Sequence, residues 1–394
     1  MLTVEQRQLI SASVPLLETG GEALTRHFYQ RLFERYPQAS ALFNSAHQHS
    51  GMQAKALARA ILMYARHINE LGELGGLVGQ IVHKHVSLNI LPEHYPWVGE
   101  CLLLAIREVL GEEIATDALL DAWGKAYWQL AEILINAEGA HYAQTALQQG
   151  GWRGARQFRL VRREQESAEI QSLYWEPVDQ QAVVAALPGQ FIGVQLQVDG
   201  QEQRRNYSIS SLAQQTGYRI SVKRESAGVV SNVLHNAPLG YELGMFPPAG
   251  NFVLAESERP LVLICGGVGI TPTLAMLEAA LPTGRAVHFI QCARNRAVMG
   301  FDQWLNEQAQ QYPTLQRFVC LSEPEAGDQA DATGFLTQEL LSQWMPTNLK
   351  EADVYFLGPV PFMRAVRKHL SNLGVPSDQV RYEWFGPADT AFSA

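Results

Sequence analysis

Over the first 145 residues, apolar side chains recur three and four positions apart, the spacing that places them on one face of an α-helix. The clearest examples are ALTRHFYQRLFERYP and LLDAWGKAYWQLAEILINAE. Only four of the 19 prolines precede residue 150, and no convincing period-two alternation occurs there. We therefore predict an all-α domain over residues 1–146, folded as a bundle or as a stack of crossing helices.

The pattern changes around Gly150 and Gly151. Short segments rich in β-branched and aromatic residues follow, separated by proline and glycine: REQESAEIQSLYWEPV, LPGQFIGVQLQV, RRNYSIS and GYRISVKRE. Several such strands at short spacing predict an antiparallel β-barrel or sandwich over residues 147–255.

After Ala255, segments typical of buried strands alternate with segments typical of helices. The strands RPLVLICGG and RAVHFIQCA flank the helix PTLAMLEAALP. The alternation continues through FDQWLNEQAQQY, QRFVCLSE, DVYFLGP, PFMRAVRKHLSNLG and QVRYEWF. This rhythm predicts a doubly wound α/β domain over residues 256–394.

The composition agrees with a globular protein of two or three domains, because the chain has 394 residues and 47% apolar side chains. A net charge of −9 argues against a dominant nucleic-acid-binding surface. The four cysteines lie far apart without a CxxC pair, so we expect them to fill the core rather than form disulfides or a zinc site. They are Cys101, Cys265, Cys292 and Cys320.

No targeting or membrane segment is expected. The first 20 residues, MLTVEQRQLISASVPLLETG, carry charges throughout and lack the apolar centre of a signal peptide. The longest apolar run, PLVLICGGVGI, is interrupted by glycines and falls short of the roughly 20 residues of a membrane span. We expect a cytoplasmic protein with no integral membrane segment and no obligatory protein partner.

The segment GGVGITPT follows a predicted strand and opens a predicted helix, which is the context of a phosphate-binding turn. Gly267 and Gly269 match the first two glycines of a dinucleotide fingerprint, but Pro272 stands where the third is expected. We predict that Thr271 caps the helix and that Pro272 is its first residue, leaving free N–H groups for a pyrophosphate. The alternative is an ordinary glycine-rich turn. The candidate NAD(P)H-binding residues are Gly266, Gly267, Val268, Gly269, Ile270, Thr271, Pro272 and Arg294.

Further motifs surround this turn. RNYS, GVVS and PAGNF precede it, and the chain continues with GP at Gly358 and then EWFGP. This order resembles the ferredoxin-reductase-like flavoenzymes, in which an FAD-binding barrel precedes an NAD(P)H-binding domain. The FAD-binding set that the resemblance implies is Phe191, Arg205, Asn206, Tyr207, Ser208, Gly228, Ser231, Trp384, Phe385, Gly386 and Pro387.

The resemblance implies a role for several of these residues. Arg205 would neutralise the FAD pyrophosphate. Tyr207 would lie against the isoalloxazine, and Ser208 would hydrogen-bond near its reactive nitrogen. Gly228 and Ser231 would present donors to the phosphates.

Phe385 would cover the other side of the flavin. Two positions depart from the common family pattern: Phe191 replaces a tyrosine, which removes one hydrogen bond, and Leu357 replaces a cysteine before Gly-Pro.

For the nicotinamide cofactor, Arg294 and Arg296 follow the second strand of the domain and would suit a 2′-phosphate. They would equally serve as solvated surface charges. The arginines favour NADPH slightly, and the choice between NADH and NADPH stays open.

Two histidines, His83 and His85, lie one residue apart in LGGLVGQIVHKHVSLNI. Residues two apart on a helix point about 200° away from each other. The apolar stripe of this helix contains His85, so we expect His85 to face the core and His83 to face solvent. From geometry alone His85 is either a hydrogen-bonded core histidine or a ligand. On the last predicted helix Glu138 also falls on the apolar stripe, and a buried carboxylate needs a partner.

With these residues, the first 145 positions resemble the globin domain of bacterial flavohaemoglobins, and the flavin reductase behind them extends the resemblance to the whole chain. It implies that His85 is the proximal ligand of haem b iron and that Tyr95 and Glu138 form its relay. Tyr29 would donate a hydrogen bond to bound O2. The remaining haem-pocket residues that it implies are Phe43, Gln53 and Leu57. Lys84 and Glu383 match positions that tune the haem and flavin potentials.

The function that the resemblance implies is nitric oxide dioxygenase activity. NAD(P)H would reduce FAD, FAD would reduce the haem, and NO and O2 would be converted to nitrate there. Two alternatives stay open at this point. One is an oxygen-binding or sensing globin whose reductase only keeps the iron ferrous, and the other is a flavin reductase with a haem-free helical domain.

Overall fold

The structure, a computed structural model of the chain, describes residues 2–43, 51–70, 72, 75–212 and 216–386. In the first part of the chain these residues form helices only, as predicted. The helices are α1 (Val4–Ala12), α2 (Val14–Arg35), α3 (Met52–Arg66), α4 (Gly75–Ser87), α5 (Tyr95–Leu110) and α6 (Asp117–Leu147). Short 3₁₀ turns cover Pro37–Leu42 and Pro92–His94.

The helices form where the apolar stripes meet and where their ends are capped. Helix α2 packs on α3 and α5, and α4 packs on α6. Phe28, Leu32 and Trp123 lie in the shared core. At the start of α1, the Thr3 hydroxyl accepts from the Gln6 N–H at 3.2 Å, and the Gln6 side chain accepts from the Thr3 N–H at 2.9 Å. This reciprocal pair satisfies two N–H groups that a helix end otherwise leaves free.

The second region is an antiparallel sheet of six strands in the order β4-β3-β6-β1-β2-β5. The strands are β1 (Arg156–Gln165), β2 (Ile170–Pro177), β3 (Phe191–Val198), β4 (Gln201–Ser208), β5 (Tyr218–Lys223) and β6 (Glu242–Met245). Helix α7 (Val229–Asn236) lies between β5 and β6. Trp175, Phe158 and Leu173 are fully buried on the inner face. The sequence pattern predicted β2, β3, β4 and β5, but it missed β6, α7 and most of β1.

The third region is a parallel sheet in the order β10-β9-β8-β7-β11-β12. Its strands are β7 (Leu261–Gly266), β8 (Val287–Ala293), β9 (Leu315–Leu321), β10 (Ala332–Thr333), β11 (Asp353–Leu357) and β12 (Val380–Tyr382). Its helices are α8 (Ile270–Ala280), α9 (Asp302–Gln311), α10 (Gln338–Trp344) and α11 (Val360–Asn372). The strand order reverses beside β7, which is where doubly wound sheets bind their ligands. The predicted fold class, helical region, antiparallel sheet and doubly wound α/β region in this order, is confirmed.

Contacts between residues divide the chain into two compact units. The first contains the chain up to Leu147 together with Gln195–Arg205 and Gly386, and the second contains Gln148–Val194 and Asn206–Phe385. The predicted domain boundaries after residues 146 and 255 stay predictions. Among the described residues no helix is long and apolar enough to cross a membrane. All four cysteines are free thiols, with Cys292 half-buried and the other three buried.

Candidate functional site

His85 lies in the last turn of α4, and its ring is held by two polar side chains of neighbouring helices. Its Nδ1 is 2.7 Å from the Glu138 carboxylate on α6 and 3.2 Å from the hydroxyl of Tyr95, the first residue of α5. The Tyr95 hydroxyl also donates to the same carboxylate oxygen, Glu138 Oε1, at 2.6 Å. The structure therefore brings together three residues that the sequence analysis proposed as one relay.

The chemistry of this donor set fits a metal-bound imidazole. The Glu138 side chain is 2% exposed and accepts from both neighbours, so the buried carboxylate is compensated. Burial, followed by the carboxylate of Glu138, raises the pKa of Tyr95 far above its ordinary value, so the phenol remains a donor. Because Nδ1–H of His85 is used by the carboxylate, the lone pair on Nε2 is the one available to a metal.

Tyr127 on α6 holds the start of α5 in place through a hydrogen bond. The Tyr127 hydroxyl donates to the Tyr95 carbonyl at 2.5 Å. A side chain at Gly99 would place its Cβ 2.5 Å from the Tyr127 ring, so this close approach requires glycine. Neither residue belongs to a recognisable motif, and the signal for Tyr127 in the sequence is its place on the apolar stripe of α6.

Tyr29 lies on α2 in an aromatic cluster of the first unit. Its ring centroid is 4.9 Å from that of Phe28, 5.9 Å from that of Phe33 and 5.4 Å from that of Phe43. Burial raises the pKa of Tyr29 well above its ordinary value, so its phenol keeps its proton. Leu57 packs against the same core from α3, where half-buried Gln53 lies one helical turn earlier. The structure thus places Tyr29, Gln53 and Leu57 on the neighbouring helices α2 and α3. Phe43 follows the 3₁₀ turn after α2 and contacts Tyr29.

The prediction that His83 faces solvent is wrong. His83 is half-buried, and its ring meets the His141 ring edge-on, with the centroids 5.2 Å apart. Burial, and to a lesser extent the other imidazole, lowers the pKa of His83. The physical reason is the length of α6, which at 31 residues continues past Glu138 and covers this side of α4.

Two further contacts within the first unit involve Arg204, from the segment Gln195–Arg205, and Gly386. Lys84 Nζ donates to the Gly386 carbonyl at 2.7 Å. Arg204, which the sequence analysis did not single out, donates to the carbonyls of Leu88 and Asn89 at 2.5 and 3.5 Å, just beyond the end of α4. Of the candidate FAD residues in this unit, Arg205 donates to the Arg204 carbonyl at 2.7 Å and to the Gln203 side chain at 3.0 Å.

In the second unit, several candidate FAD residues lie along the antiparallel sheet. Phe191 begins β3, and its N–H donates to the Ala249 carbonyl at 2.9 Å. Asn206, Tyr207 and Ser208 end β4, where Asn206 is exposed, Tyr207 half-buried and Ser208 buried.

The remaining candidates lie at the start of α7 and after β12. Gly228 directly precedes α7, and the Ser231 hydroxyl in its first turn accepts from the Glu225 N–H at 3.3 Å. Trp384 contacts Tyr382 edge-on, with ring centroids 6.2 Å apart. Phe385 is exposed and half-buried Glu383 follows β12. The candidate Pro387 lies outside the described residues.

The glycine-rich turn follows β7 and leads directly into α8. Residues Gly267–Gly269 form a 3₁₀ turn, with Val268 half-buried between the two glycines. A Cβ at Gly269 would lie 2.1 Å from the Leu357 carbonyl oxygen on β11, so this packing requires glycine. As predicted, the turn places the start of a helix at the carboxyl edge of a parallel sheet.

The predicted cap of this helix is wrong. Gly269 is the N-cap, α8 begins at Ile270, and Thr271 is its second residue. The Thr271 hydroxyl donates to the Val268 carbonyl at 3.0 Å instead of capping the helix. Because the 3₁₀ turn already winds the backbone, the helix starts earlier than Pro272 suggested, and proline is tolerated there within the first turn.

The two arginines after β8 are both paired with carboxylates of their own unit. Arg294 is paired with Glu169. Arg296 is paired with Asp302 at 2.7 Å and also donates to the Gln329 carbonyl at 2.8 Å. Arg294 is half-exposed, and it is the more accessible of the two guanidinium groups.

Comparisons with known proteins cover the chain in three segments and as a whole. Residues 26–134 match the family model described as globin, residues 157–254 match the oxidoreductase FAD-binding domain, and residues 263–368 match the oxidoreductase NAD-binding domain.

Among curated proteins, the flavohemoprotein of Pseudomonas putida is 60% identical over 389 residues, which are 98% of this chain and 99% of that protein. Among solved structures, a flavohemoglobin from Malassezia yamatoensis with bound FAD and heme is 28% identical, with a TM-score of 0.86 over 98% of this chain and 100% of that one. The FAD/NAD-binding domain of nitric oxide dioxygenase from Vibrio cholerae is 33% identical, with a TM-score of 0.56 over 60% of this chain and 100% of that one.

Proposed function

The chain belongs to the flavohemoprotein family, and from this premise we propose that it is a nitric oxide dioxygenase, which converts NO and O2 to nitrate with electrons from NAD(P)H. The observation that carries the proposal is the contact of half-buried His85 with the buried side chains of Glu138 and Tyr95, because a lone core histidine has no need of a carboxylate shared with a phenol. His85 and Tyr95 lie within the residues 26–134 that match the globin model, and Glu138 follows them on α6, in a chain that also carries FAD-binding and NAD-binding segments.

We propose that His85 holds a haem iron through Nε2. When bound, the haem supplies the redox-active iron at which the two substrates meet, and FAD supplies the conversion of hydride into single electrons. Glu138 would accept the Nδ1 proton of His85 and make the imidazole a stronger electron donor. Tyr95 would hold the carboxylate in place through its own hydrogen bond.

On the other side of the pocket, Tyr29 would act on the dioxygen substrate. Its phenol is buried and stays protonated, so it can donate a hydrogen bond to a partly anionic oxygen. Phe43 and Leu57 would exclude water from this space, and Gln53 would supply a polar side chain near the substrates. These roles depend on residues that come from two helices, α2 and α3, and from the turn between them.

For the flavin, Arg205 would balance the pyrophosphate charge, and Tyr207 and Ser208 would contact the isoalloxazine. Gly228 and Ser231 would donate to the phosphates. The other members of the proposed FAD set are Phe191, Asn206, Trp384, Phe385, Gly386 and Pro387. We propose that Lys84 and Glu383 tune the haem and flavin potentials.

For the nicotinamide cofactor, the N–H groups of Gly267 to Thr271 would bind the pyrophosphate at the start of α8. Arg294 would have to leave Glu169 to reach a 2′-phosphate, a cost that NADH avoids. We therefore propose NADH as the better donor. The cytoplasmic location expected from the sequence stays a prediction.

The test is the rate of NO consumption under O2, with NADH and with NADPH, for the wild-type protein and for Tyr29→Phe. We expect the variant to keep its haem and FAD absorption but to lose at least about tenfold in NO turnover, since one preorganised donor is worth about 10²–10³ where charge develops. Tyr36→Phe, which removes an exposed phenol of the same helix end, is the matched control. Unchanged turnover in Tyr29→Phe would refute the assigned role.

If the wild-type protein binds O2 but consumes no NO, the dioxygenase proposal fails, and an oxygen-binding globin with an attached reductase takes its place. If no Soret band accompanies the flavin absorption after expression with added haem, the His85 assignment fails as well. The two failures are therefore distinguishable.

A further inference from the structure

A polar cleft lies on the second unit and is lined by none of the residues assigned above. It has a volume of about 290 Å³ and is bounded by the ends of β1, β2 and β5 and by the last turn of α7. The residues that line it are Arg163, Gln165, Ala168, Gln171, Arg224 and His235. None of them is acidic, and two carry a permanent positive charge.

The two arginines of the cleft differ from their neighbours. On strand β1, Arg156, Arg159 and Arg162 each pair with a carboxylate. In contrast, Arg163 donates to the Ala237 carbonyl at 3.2 Å, and Arg224 donates to the Asn236 side chain at 2.8 Å. Within the described parts of the chain neither guanidinium has an acidic partner. The cleft therefore holds two positive charges that the protein does not neutralise.

The floor of the cleft supplies hydrogen-bond acceptors. Gln171 is only 9% exposed, and its Oε1 is buried without a hydrogen-bond partner within the described structure. Its Nε2 reaches Gln165 Oε1 at 3.5 Å. An O–H group of a ligand would supply the donor that this buried carbonyl oxygen lacks.

The second acceptor belongs to His235, which is 7% exposed. Its Nε2 donates to the Val222 carbonyl at 2.7 Å, so Nδ1 carries the lone pair of the neutral ring. Burial lowers the pKa of His235, with Arg224 as a smaller contribution, and this keeps the ring neutral at neutral pH. The site thus joins positive charge to acceptors, a combination that suits an anion still carrying a proton.

We propose that this cleft binds a phosphate group, with its oxyanion facing Arg163 and Arg224 and an O–H group of the same ligand donating to Gln171 or His235. Inorganic phosphate keeps an O–H at neutral pH, whereas sulfate, with the same shape and charge, does not. A phosphate monoester satisfies the acceptors only through a hydroxyl of its organic part. Sulfate should therefore bind more weakly than phosphate even though its charge is matched.

The cleft also contacts the segment that engages Arg294. The Arg224 N–H donates to the Glu169 carbonyl at 2.8 Å, and the Ala168 N–H donates to the Ala297 carbonyl at 2.8 Å. None of the residues that line the cleft belongs to the glycine-rich turn. We therefore expect phosphate and NADPH to bind at the same time.

The experiment is calorimetric titration of the purified FAD-containing holoprotein, in phosphate-free buffer, with inorganic phosphate, sulfate and adenosine monophosphate. We expect saturable binding of one phosphate per chain, and we expect sulfate to bind at least about fivefold more weakly. The titration with adenosine monophosphate shows whether a free or an esterified phosphate is preferred. Arg163→Gln and Arg224→Gln should each weaken phosphate at least about tenfold, because a charged hydrogen bond is worth about 1.5–3 kcal/mol. Arg162→Gln is the matched control on the same strand and should leave binding unchanged.

Gln171→Leu tests the acceptor separately, because it should reduce the preference of phosphate over sulfate while leaving sulfate binding in place. FAD absorption and the circular dichroism spectrum show whether each variant is folded. The proposal is overturned by the absence of saturable phosphate binding, by unchanged binding in both arginine variants, or by displacement of phosphate by NADPH. A positive or a negative result leaves the dioxygenase proposal untouched, since NO consumption is measured separately.

Discussion

His85 is held by side chains that lie 10 and 53 residues further along the chain, whereas the turn Gly267–Gly269 is built from consecutive residues and offers its backbone. The first arrangement exists only after three helices have packed. The second follows from the local conformation of one strand, one turn and one helix. Both arrangements hold a small number of polar groups at fixed positions, which are side chains around His85 and backbone groups at the glycine turn.

The difference determines how each site tolerates change. At His85, the identity of every side chain matters, because each one carries a distinct proton or lone pair. At the glycine turn, the absence of a side chain matters, because any Cβ at Gly269 would collide with the Leu357 carbonyl. Substitutions should therefore alter chemistry at the first site and backbone position at the second.

The largest effect is expected from His85→Ala. Without the imidazole the iron loses its protein ligand, so we expect nearly complete loss of the Soret absorption per chain and of NO consumption. NADH-driven reduction of an artificial dye should persist, because the FAD and NAD(P)H residues are unchanged. Loss of dye reduction as well would mean that the two sites are not separable in the way that we propose.

Gly269→Ala should have the next largest effect. The added methyl group would lie 2.1 Å from a backbone oxygen, so we expect about 1–3 kcal/mol of lost stability and at least about a tenfold higher KM for NADH. Steady-state dye reduction and urea unfolding measure the two effects. Gly284→Ala is the control, because that glycine has φ +76° and open space, and it should cost stability without changing KM.

Glu138→Gln should leave haem bound but change its redox behaviour. The amide keeps the shape of the carboxylate and loses its charge, so His85 becomes a weaker electron donor and the haem reduction potential rises. Spectroelectrochemical titration measures the potential. Glu132→Gln, an exposed position on the same helix, should leave it unchanged. An unaltered potential in Glu138→Gln would mean that the carboxylate only supports the fold.

The smallest effect on the reaction is expected from Tyr95→Phe, which removes the phenol that donates to Glu138 at 2.6 Å and so acts on stability. Hydrogen bonds to charged groups are worth about 1.5–3 kcal/mol, so we expect a stability loss in that range by urea unfolding. Tyr142→Phe removes a phenol that donates to a neutral carbonyl, that of Ile90, at 2.8 Å. It should cost only about 1 kcal/mol. Equal losses would show that the charge of Glu138 contributes little.

The same contrast explains what the sequence could predict. The order of strands and helices follows from contiguous residues, and this prediction is confirmed. The glycine turn also lies between a strand and a helix as expected, whereas its binding of a pyrophosphate stays a prediction. The resemblance to flavohaemoglobins is confirmed too. Helical periodicity alone predicted that His85 and Glu138 face inward, but not that they meet, because this depends on the distance and angle between α4 and α6.

The errors have the same origin. His83 was expected in solvent because one helix was considered by itself, whereas the end of α6 covers it. Thr271 was expected as a cap because Pro272 is typical of a first helical turn, whereas the preceding 3₁₀ turn moved the start of α8 to Ile270. The cleft of Arg163 and Arg224 has no local motif, since its residues come from two strands, one helix and two connecting segments.

The contact of Arg204 with the end of α4 has a consequence for biosynthesis. Leu88 and Asn89 leave the ribosome more than a hundred residues before the arginine that binds their carbonyls, since Arg204 follows Leu88 by 116 positions. Until then water is the partner of these carbonyls, and the helices emerge as an incomplete unit. Residues 1–147 expressed alone would therefore lack Arg204, and the carbonyls of Leu88 and Asn89 would keep water as their partner.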